Sequence, residues 1–183
     1  MNYAVIFHTL GIVINFGAAF MIPPFIVAVL YGEADAMYFA VCFVICAALG
    51  FILSRIKPAN KKFYAKEGYI IVAMSWIILS LIGSMPFYLS GYIPSYIDAL
   101  FESVSGFTTT GASILSNVEN LSNGMLFWRI FTHWIGGMGV LVFIIAVLPL
   151  TGGENMHIMR AETPGPSVGK LVPKLRKTAI YLY

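Results

Sequence analysis

The sequence predicts an all-α membrane protein with two N-terminal transmembrane helices, followed by one unit of helix, short helix, loop and helix. Hydrophobic residues make up 59% of the 183 residues and charged residues 10%, whereas a soluble domain carries about 25% charged residues. The mean hydropathy is +0.85. The apolar residues also come in long uninterrupted stretches, without the regular polar positions that a water-facing surface requires. Water is therefore not the main solvent of this chain.

Four stretches without a charged residue are long enough to cross a bilayer, which takes about 20 apolar residues in a helix. They are 1–32, 36–54, 68–97 and 130–153. The first stretch lacks the basic start and the small-residue cleavage site of a signal peptide. We therefore interpret it as a mature transmembrane helix that kinks or ends near Pro23 and Pro24.

Charges at the ends of these stretches predict how the chain is oriented. Ten basic residues fall between the second and third stretches or after the last one: Arg55, Lys57, Lys61, Lys62, Lys66, Arg160, Lys170, Lys174, Arg176 and Lys177. Lysine and arginine are in excess in cytoplasmic loops. The loop with Glu33 and Asp35 is acidic, and segment 92–129 has three acidic residues but one basic residue. We expect a multi-pass protein of the inner or plasma membrane, with its N-terminus in the cytoplasm.

The segment between the third and last apolar stretches predicts a short helix over about 96–105. Ser95 is a suitable N-cap, and Asp98 falls in the first turn, where the helix dipole favours a carboxylate. Four residues at helical spacing give this helix an apolar face: Ile97, Leu100, Phe101 and Val104. We expect Gly106 to end the helix and the polar run 107–113 to follow it.

This short helix cannot cross a membrane, yet its apolar face would be poorly placed in water. A re-entrant hairpin resolves the conflict, because irregular backbone lies at membrane depth only where protein or a water-filled cavity satisfies its polar groups. The sequence therefore predicts one unit of a pore. It consists of a helix over about 68–89, the short pore helix, a loop, a polar return over 113–123 and a helix over about 125–150.

The loop 108–112, with the sequence Thr-Thr-Thr-Gly-Ala, carries the readable chemistry. A monovalent cation such as potassium gives up its water only when several oxygens replace it, and consecutive main-chain carbonyls supply them. Gly111 adopts positive φ without steric cost, and the C-terminal end of the pore helix adds partial negative charge. We predict a selectivity filter that binds the ion through five residues: Thr108, Thr109, Thr110, Gly111 and Ala112. Potassium itself is expected at Thr110 and Gly111.

Several other residues have both a functional and a structural interpretation. Glu102 on the pore helix either supports the filter, by bonding its amides or concentrating cations, or is a carboxylate at the outer interface. His133 lacks a catalytic or metal partner in the sequence and is interpreted as a hydrogen-bonded packing residue. Gly136, Gly137 and Gly139 predict close packing of the last helix, with a hinge as the alternative.

Three further residues favour structural roles. Arg129 is expected to anchor the outer end of the last helix by extending to the membrane interface. Cys42 and Cys46 are interpreted as small packing residues, because a metal site would need further ligands that their stretch lacks. An enzyme would need paired acids, a serine with its base or metal ligands inside the spans, and the spans contain none. We therefore expect neither catalysis nor an organic cofactor.

The longest motif is Phe101-Glu-Ser-Val-Ser-Gly-Phe-Thr-Thr-Thr-Gly-Ala-Ser113. Four shorter motifs follow it: Phe127-Trp-Arg129, His133-Trp-Ile-Gly-Gly-Met-Gly139, Leu148-Pro149 and Arg160-Ala-Glu-Thr-Pro-Gly-Pro166. In this combination they resemble the first repeat of the Trk-type potassium uptake proteins of bacteria, within the Trk/Ktr/HKT superfamily. The resemblance covers the whole chain.

The resemblance implies a potassium-transporting subunit of the bacterial inner membrane, in which one chain holds four unequal pore units around one pore. Loop 108–112 would then form a quarter of the filter. In related transporters a glycine at the position of Gly111 goes with potassium preference, and a serine there goes with sodium permeation. The implied partners are membrane lipid, the remaining pore repeats of the same chain, a second copy in a homodimer and a cytosolic nucleotide-binding regulatory subunit, but no nucleic acid.

The predicted organisation has four parts. They are two N-terminal transmembrane helices in 1–54, a basic cytoplasmic loop in 55–67, the first pore repeat in 68–150, and a cytoplasmic connector with the start of a next, truncated helix in 151–183. We expect a fragment of a longer chain, because one filter loop alone cannot close a pore. The alternative is a short single-repeat cation channel subunit that works as a homotetramer, and a third is a membrane scaffold without transport. Symport with protons or sodium and channel-like flux both stay open at this point.

Overall fold

The computed structural model describes residues 3–56 and 65–147, and every regular element within these ranges is helical. The elements are α1 (Tyr3–Ala19), α2 (Ile22–Leu30), α3 (Ala36–Ser54), α4 (Ala65–Leu89), α5 (Tyr96–Phe107), a 3₁₀ turn (Val118–Asn120) and α6 (Asn123–Val147). Within these two ranges, three candidate spans are long and apolar enough to cross a membrane: Tyr3–Leu30, Ala36–Ser54 and Glu67–Leu89. The predicted all-α class is confirmed. The end of the predicted fourth span, most of the basic loop and the predicted connector 151–183 lie outside the described residues.

The first apolar stretch is divided into two helices by a break immediately before its proline pair. α1 ends at Ala19, and Pro23 lies in the first turn of α2. Proline is tolerated there, because the first backbone N–H groups of a helix have no partner within the helix. α2 begins with a hydrogen bond from the Phe25 N–H to the Met21 carbonyl at 3.2 Å. The kink predicted from the proline pair is therefore present.

α1 and α3 approach each other so closely that glycines are needed at two contacts. A Cβ atom on Gly11 would collide with the backbone of Leu53 and Ser54, and one on Gly50 would collide with Asn15. Small residues allow membrane helices to pack backbone against backbone in this way. The two N-terminal spans therefore form a tight hairpin.

The main apolar core joins this hairpin to the rest of the chain. Its most deeply buried side chains include Met21, Phe39, Cys42, Cys46 and Trp128. Phe39 and Trp128 meet edge to face, with ring centroids 6.4 Å apart. Both cysteines are free thiols inside this core, in the packing role that the sequence predicts for them. Among the described residues, no group of three or more histidine, cysteine or acidic side chains is placed to hold a metal ion.

α5 is a short helix that packs against both α4 and α6. Its N-terminus is capped as predicted, because Ser95 Oγ accepts a hydrogen bond from the Asp98 N–H at 3.4 Å. α4 and α6 also meet directly, where the Trp128 indole N–H donates to the Gly83 carbonyl at 2.9 Å. α5 is thus held between α4 and α6, and this position determines where the loop that follows α5 begins.

The predicted end of the short helix is wrong by two residues. α5 does not stop at Gly106 but continues to Phe107, and Thr108 is its C-cap. Gly106 keeps a helical backbone and provides space instead, because a Cβ atom there would collide with the Thr132 hydroxyl of α6. A glycine that ends a helix takes positive φ, and Gly106 does not have it. Close approach of α6, rather than termination, explains this glycine.

The facing surface of α6 is also bare where it meets α5. A Cβ atom on Gly136 would collide with the carbonyl group of Phe107, so no side chain fits between the helices at this point. On Gly137 a Cβ atom would lie 3.6 Å from the γ-methyl of Thr109, which is an ordinary contact distance. The close packing predicted for Gly136 and Gly137 is present, whereas the surroundings of Gly139 lie outside the described side chains.

The N-terminus of α6 is capped by a residue from the loop between α2 and α3. Glu33 Oε1 accepts hydrogen bonds from the Asn123 N–H and side-chain amide, at 2.8 and 2.9 Å, and Oε2 accepts the Gly124 N–H at 2.9 Å. Ser122 Oγ accepts the next N–H, from Met125, at 3.3 Å. Partial burial raises the pKa of the Glu33 carboxyl, but the hydrogen bonds from Gly124, Asn123 and Ser122 together outweigh it and hold the pKa below the ordinary value of 4.5.

The glycine contact between α5 and α6 predicts that two adjacent alanine substitutions have different effects. Gly136→Ala should destabilise the protein by about 1–3 kcal/mol, because the new methyl group overlaps the Phe107 carbonyl and forces the helices apart. Gly137→Ala is the matched control and should be tolerated, since its methyl group has room. Thermal unfolding of the purified protein in detergent measures both. Equal melting temperatures for the two variants would contradict this contact.

The cap on α6 predicts a pH-dependent contribution from Glu33. At pH 7, Glu33→Gln should lower stability by about 1 kcal/mol, because the half-exposed site loses a charge that favours the helix N-terminus. Since the folded pKa lies below 4.5, the carboxylate's contribution is complete above that pH and is lost as the pH falls through the folded pKa. Thermal unfolding between pH 7 and pH 3 measures the difference between parent and variant. Exposed Glu119 gives the control, Glu119→Gln, and a Glu33→Gln effect that stays constant with pH would refute the cap.

Candidate functional site

The loop 108–112 leaves α5 through a tight hydrogen-bonded turn. The Thr109 N–H donates to the Gly106 carbonyl and the Thr110 N–H donates to the Ser105 carbonyl, each at 3.0 Å. This pair of bonds is the Schellman motif, which closes the C-terminal end of many helices. The carbonyl groups of Ser105 and Gly106, near the end of α5, therefore have donors in the loop, and the following residues leave the helix in a fixed direction.

Thr109 has the backbone conformation that this motif requires, although it is a poor residue for it. Its φ is +56°, and Gly111 has a φ of +77°. The left-handed region suits glycine, whereas a β-branched residue there is strained by about 1–3 kcal/mol. Two contacts hold Thr109 in place: its Oγ1 donates to the Thr108 carbonyl at 2.7 Å, and its methyl group faces Gly137 on α6. The positive φ predicted for Gly111 is confirmed.

Side-chain hydroxyls of the loop and of α5 form further bonds around the loop backbone. Thr108 Oγ1 donates to the Val104 carbonyl at 2.8 Å and lies 2.7 Å from Thr110 Oγ1. Ser105 Oγ donates to the Ala112 carbonyl at 2.5 Å. The carbonyls of Thr108 and Ala112, at the two ends of the predicted filter, therefore each accept an internal hydrogen bond.

The three carbonyls between those ends are available. Within the part of the chain that the structure describes, no donor bonds the carbonyl oxygens of Thr109, Thr110 and Gly111. All five loop residues are exposed in the single chain. Main-chain oxygens without a protein donor are free to accept an ion or water. Thr110 and Gly111, the residues predicted to hold potassium, belong to this available set.

Glu102 lies next to the C-terminal end of the loop and is almost completely buried, with 2% of its surface exposed. It accepts hydrogen bonds from Ser113 Oγ, at 3.0 Å, and from the Ile114 N–H, at 3.1 Å. Arg129 of α6 forms an ion pair with it, with 2.5 Å between Arg129 Nε and Glu102 Oε1. Glu102 thus bonds the backbone immediately after the loop.

Arg129 and His133 differ in how well the sequence predicts them. The Arg129 side chain, 16% exposed, pairs with Glu102, a contact that the expected anchoring role at the membrane interface does not include. His133 is a hydrogen-bonded packing residue as predicted, with Nδ1 2.9 Å from the Arg129 carbonyl. Thr132 Oγ1 donates to the same carbonyl at 2.7 Å. Both bonds lie within α6 and connect Thr132 and His133 to the turn that carries Arg129.

Sequence reasoning missed two features of this site. Nothing in three consecutive threonines distinguishes Thr109 as the one with positive φ, because only the bonds to Ser105 and Gly106 select it. The pairing of Glu102 with Arg129 joins residues 27 positions apart, and no helical period relates them. An acidic residue on a short helix that is expected to be buried indicates that a basic side chain lies nearby. The sequence does not show which basic residue this is.

Comparison with known proteins gives a consistent family. A sequence profile of the TrkH family, described as a cation transport protein, matches residues 35–183. The Trk system potassium uptake protein TrkH of Halomonas elongata is 34% identical over 186 residues, which cover 100% of this chain and 39% of that protein. The Trk system potassium uptake protein TrkG of Escherichia coli is 36% identical over 182 residues, which cover 98% of this chain and 38% of that protein.

The fold agrees with this relationship. The crystal structure of the potassium transporter TrkH from Vibrio parahaemolyticus matches with a TM-score of 0.78 and 29% identity, over 100% of this chain and 37% of that chain. The chain spans about two fifths of the length of the curated relatives it matches. Because the family consists of transport proteins, the prediction that the chain is not an enzyme is confirmed. The profile match over most of the sequence and the shared fold show that this multi-pass membrane chain belongs to the TrkH family of cation transport proteins.

Proposed function

We propose that this chain is part of the pore-forming subunit of a potassium uptake system in a bacterial inner membrane, and that loop 108–112 is one quarter of its selectivity filter. The observation that carries the proposal is the run of three available main-chain carbonyls, from Thr109 to Gly111, at the end of a short capped helix. The names of the relatives, which are potassium uptake proteins, support potassium as the ion.

The proposed mechanism is replacement of the ion's hydration shell by backbone oxygens. A potassium ion on the pore axis would be coordinated by the Thr110 and Gly111 carbonyls of this loop and by equivalent oxygens of three other loops. The C-terminal end of α5 directs partial negative charge at the same point. Thr108 and Ala112 then frame the site, because their carbonyls already accept protein hydrogen bonds.

The surroundings follow from the same proposal. α4, α5, the loop and α6 are one pore repeat over 68–150, with α5 re-entering the membrane from the outer side and the N-terminus in the cytoplasm. The remaining three repeats of the same chain, a second copy in a homodimer and a cytosolic nucleotide-binding regulatory subunit are the proposed partners. Arg55, at the end of α3, stacks on Phe51 with its guanidinium 4.4 Å from the ring centroid. Its positive charge supports a cytoplasmic position for this end of the hairpin.

Gly111→Ser tests the filter in the native protein that contains this sequence. We expect sodium uptake to rise relative to rubidium uptake by about tenfold, a difference of about 1.4 kcal/mol, because a side chain at positive φ disturbs the adjacent carbonyls. Uptake of both ions into cells lacking other potassium uptake measures the ratio.

The matched control for this substitution is Gly91→Ser. Gly91 has a φ of +78° and, like Gly111, has no atom within 4 Å of an added Cβ, so its serine is equally strained but lies outside the loop. In this control we expect the same ratio of sodium to rubidium uptake as in the parent protein. An unchanged ratio in Gly111→Ser would contradict the proposed filter.

Proline at Thr109 or Thr110 should abolish uptake. Each substitution removes a backbone N–H that bonds a carbonyl near the end of α5. Proline also cannot adopt the φ of +56° found at Thr109. The loop backbone should therefore change its conformation, at a cost of about 3 kcal/mol or more. Thr110→Ala keeps the N–H and the carbonyl and should retain most uptake, since the proposed ligand is the backbone. Rubidium uptake, corrected for the amount of protein in the membrane, measures all three. Full uptake in either proline variant, or none in Thr110→Ala, would argue against carbonyl coordination.

A further inference from the structure

Glu102 is a buried charge that the coordination of an ion by the loop does not require. Its carboxylate belongs to α5 and is almost fully removed from solvent. Burial of a carboxylate is unfavourable unless an opposite charge and hydrogen-bond donors replace the lost water. The groups that supply this compensation therefore reveal what the carboxylate holds together.

Donors from two different parts of the chain meet at this carboxylate. Arg129 on α6 supplies the opposite charge, at 2.5 Å, while Ser113 Oγ and the Ile114 N–H supply two hydrogen bonds. Ser113 Oγ also accepts the Leu115 N–H at 3.1 Å, so the contact extends along the backbone. Glu102 thus links α6 to the residues that directly follow Ala112, the last residue of the loop.

The beginning of the loop is held by the same helix. The carbonyl group of Phe107 lies directly on Gly136, and the methyl group of Thr109 faces Gly137. α6 therefore fixes the loop on both sides, through a steric contact before it and through an ion pair after it. Between these two attachments the spacing of the available carbonyls has little freedom.

We propose that Arg129 is a positioning residue for ion selection: it holds the Glu102 carboxylate in place through the ion pair, and Glu102 fixes the end of the loop at Ser113 and Ile114. This inference rests on the proposed function, because it assigns Arg129 a role in the selectivity of that same loop. Arg129 acts through Glu102 and need not touch the ion. Its own positive charge beside a cation pathway is neutralised by the pair.

The test uses the native protein that contains this chain and compares four variants: Arg129→Lys, Arg129→Gln, Glu102→Gln and the double variant Glu102→Gln/Arg129→Gln. Rubidium and sodium uptake are measured in cells lacking other potassium uptake, and the rubidium-to-sodium ratio is the readout. A purely structural role would reduce the amount of protein or the uptake of both ions equally, and would leave this ratio unchanged.

We expect Arg129→Gln to lower the ratio on the order of tenfold, because a buried carboxylate without its counter-charge is unfavourable, so the Glu102 side chain moves and releases Ile114. Arg129→Lys should lower it less, since lysine keeps the charge but lacks the Nε–H that bonds Oε1. The double variant should recover a large part of the ratio, because a neutral amide pair leaves no uncompensated charge and the amide oxygen introduced by Glu102→Gln still accepts the Ile114 N–H.

Two controls separate charge from position. Arg55→Gln changes an arginine that stacks on Phe51 at the far end of α3, and Glu119→Gln changes an exposed acid in the segment after the loop. Both should keep the rubidium-to-sodium ratio of the parent protein.

If Arg129→Gln fails to reach the membrane, Arg129→Lys decides, because an altered ratio in that variant supports the inference.

A parent ratio in Arg129→Gln or, where that variant is not made, in Arg129→Lys overturns the inference. Additive losses in the double variant overturn it as well, because the two residues would then act independently. Gly111→Ser distinguishes this outcome from failure of the proposed function. If Gly111→Ser changes the ratio while the Arg129 variants do not, the filter stands and only the role of Arg129 falls.

Discussion

The contact between α5 and α6 leaves no room for a side chain, and the rest of the site depends on it. Gly136 meets the carbonyl of Phe107, and Gly106 meets the hydroxyl of Thr132. Because dispersion contacts rather than water exclusion drive helix association in a membrane, such bare surfaces are favourable there. The contact brings the C-terminal end of the short helix onto a long helix, and it thereby fixes where the following loop begins.

The loop itself has an irregular backbone, and short-range hydrogen bonds satisfy several of its polar groups. Bonds from the Thr109 and Thr110 N–H groups close α5, and hydroxyls bond the carbonyls of Thr108 and Ala112. Three carbonyls in the middle of the loop, those of Thr109, Thr110 and Gly111, have no donor among residues 3–56 and 65–147. Strain at Thr109 accompanies this arrangement, which is typical of functional sites whose surroundings hold a residue in an unfavourable conformation. An ion or water would satisfy the remaining oxygens.

The N-terminal hairpin contributes to the same unit through its turn. Glu33, between α2 and α3, caps the first N–H groups of α6 from 90 residues away. Gly124 permits this approach, since a Cβ atom there would collide with Ala28. The hairpin is therefore not merely an addition to the unit formed by α4, α5, the loop and α6. It determines where α6 starts, and α6 in turn carries Arg129, Gly136 and Gly137.

The sequence by itself determined the membrane class, the helices, the kink at the proline pair, the cap at Ser95 and the positive φ of Gly111. All of these depend on composition or on neighbours within a few residues, where local sterics and hydrogen bonding decide the outcome. The tertiary structure alone decided that Gly106 lies inside α5, that Thr109 takes positive φ, and that Glu102 pairs with Arg129. It also decided that Glu33 caps α6. These features depend on which helix faces match and how closely they approach, and no local pattern encodes a contact between residues 27 or 90 positions apart.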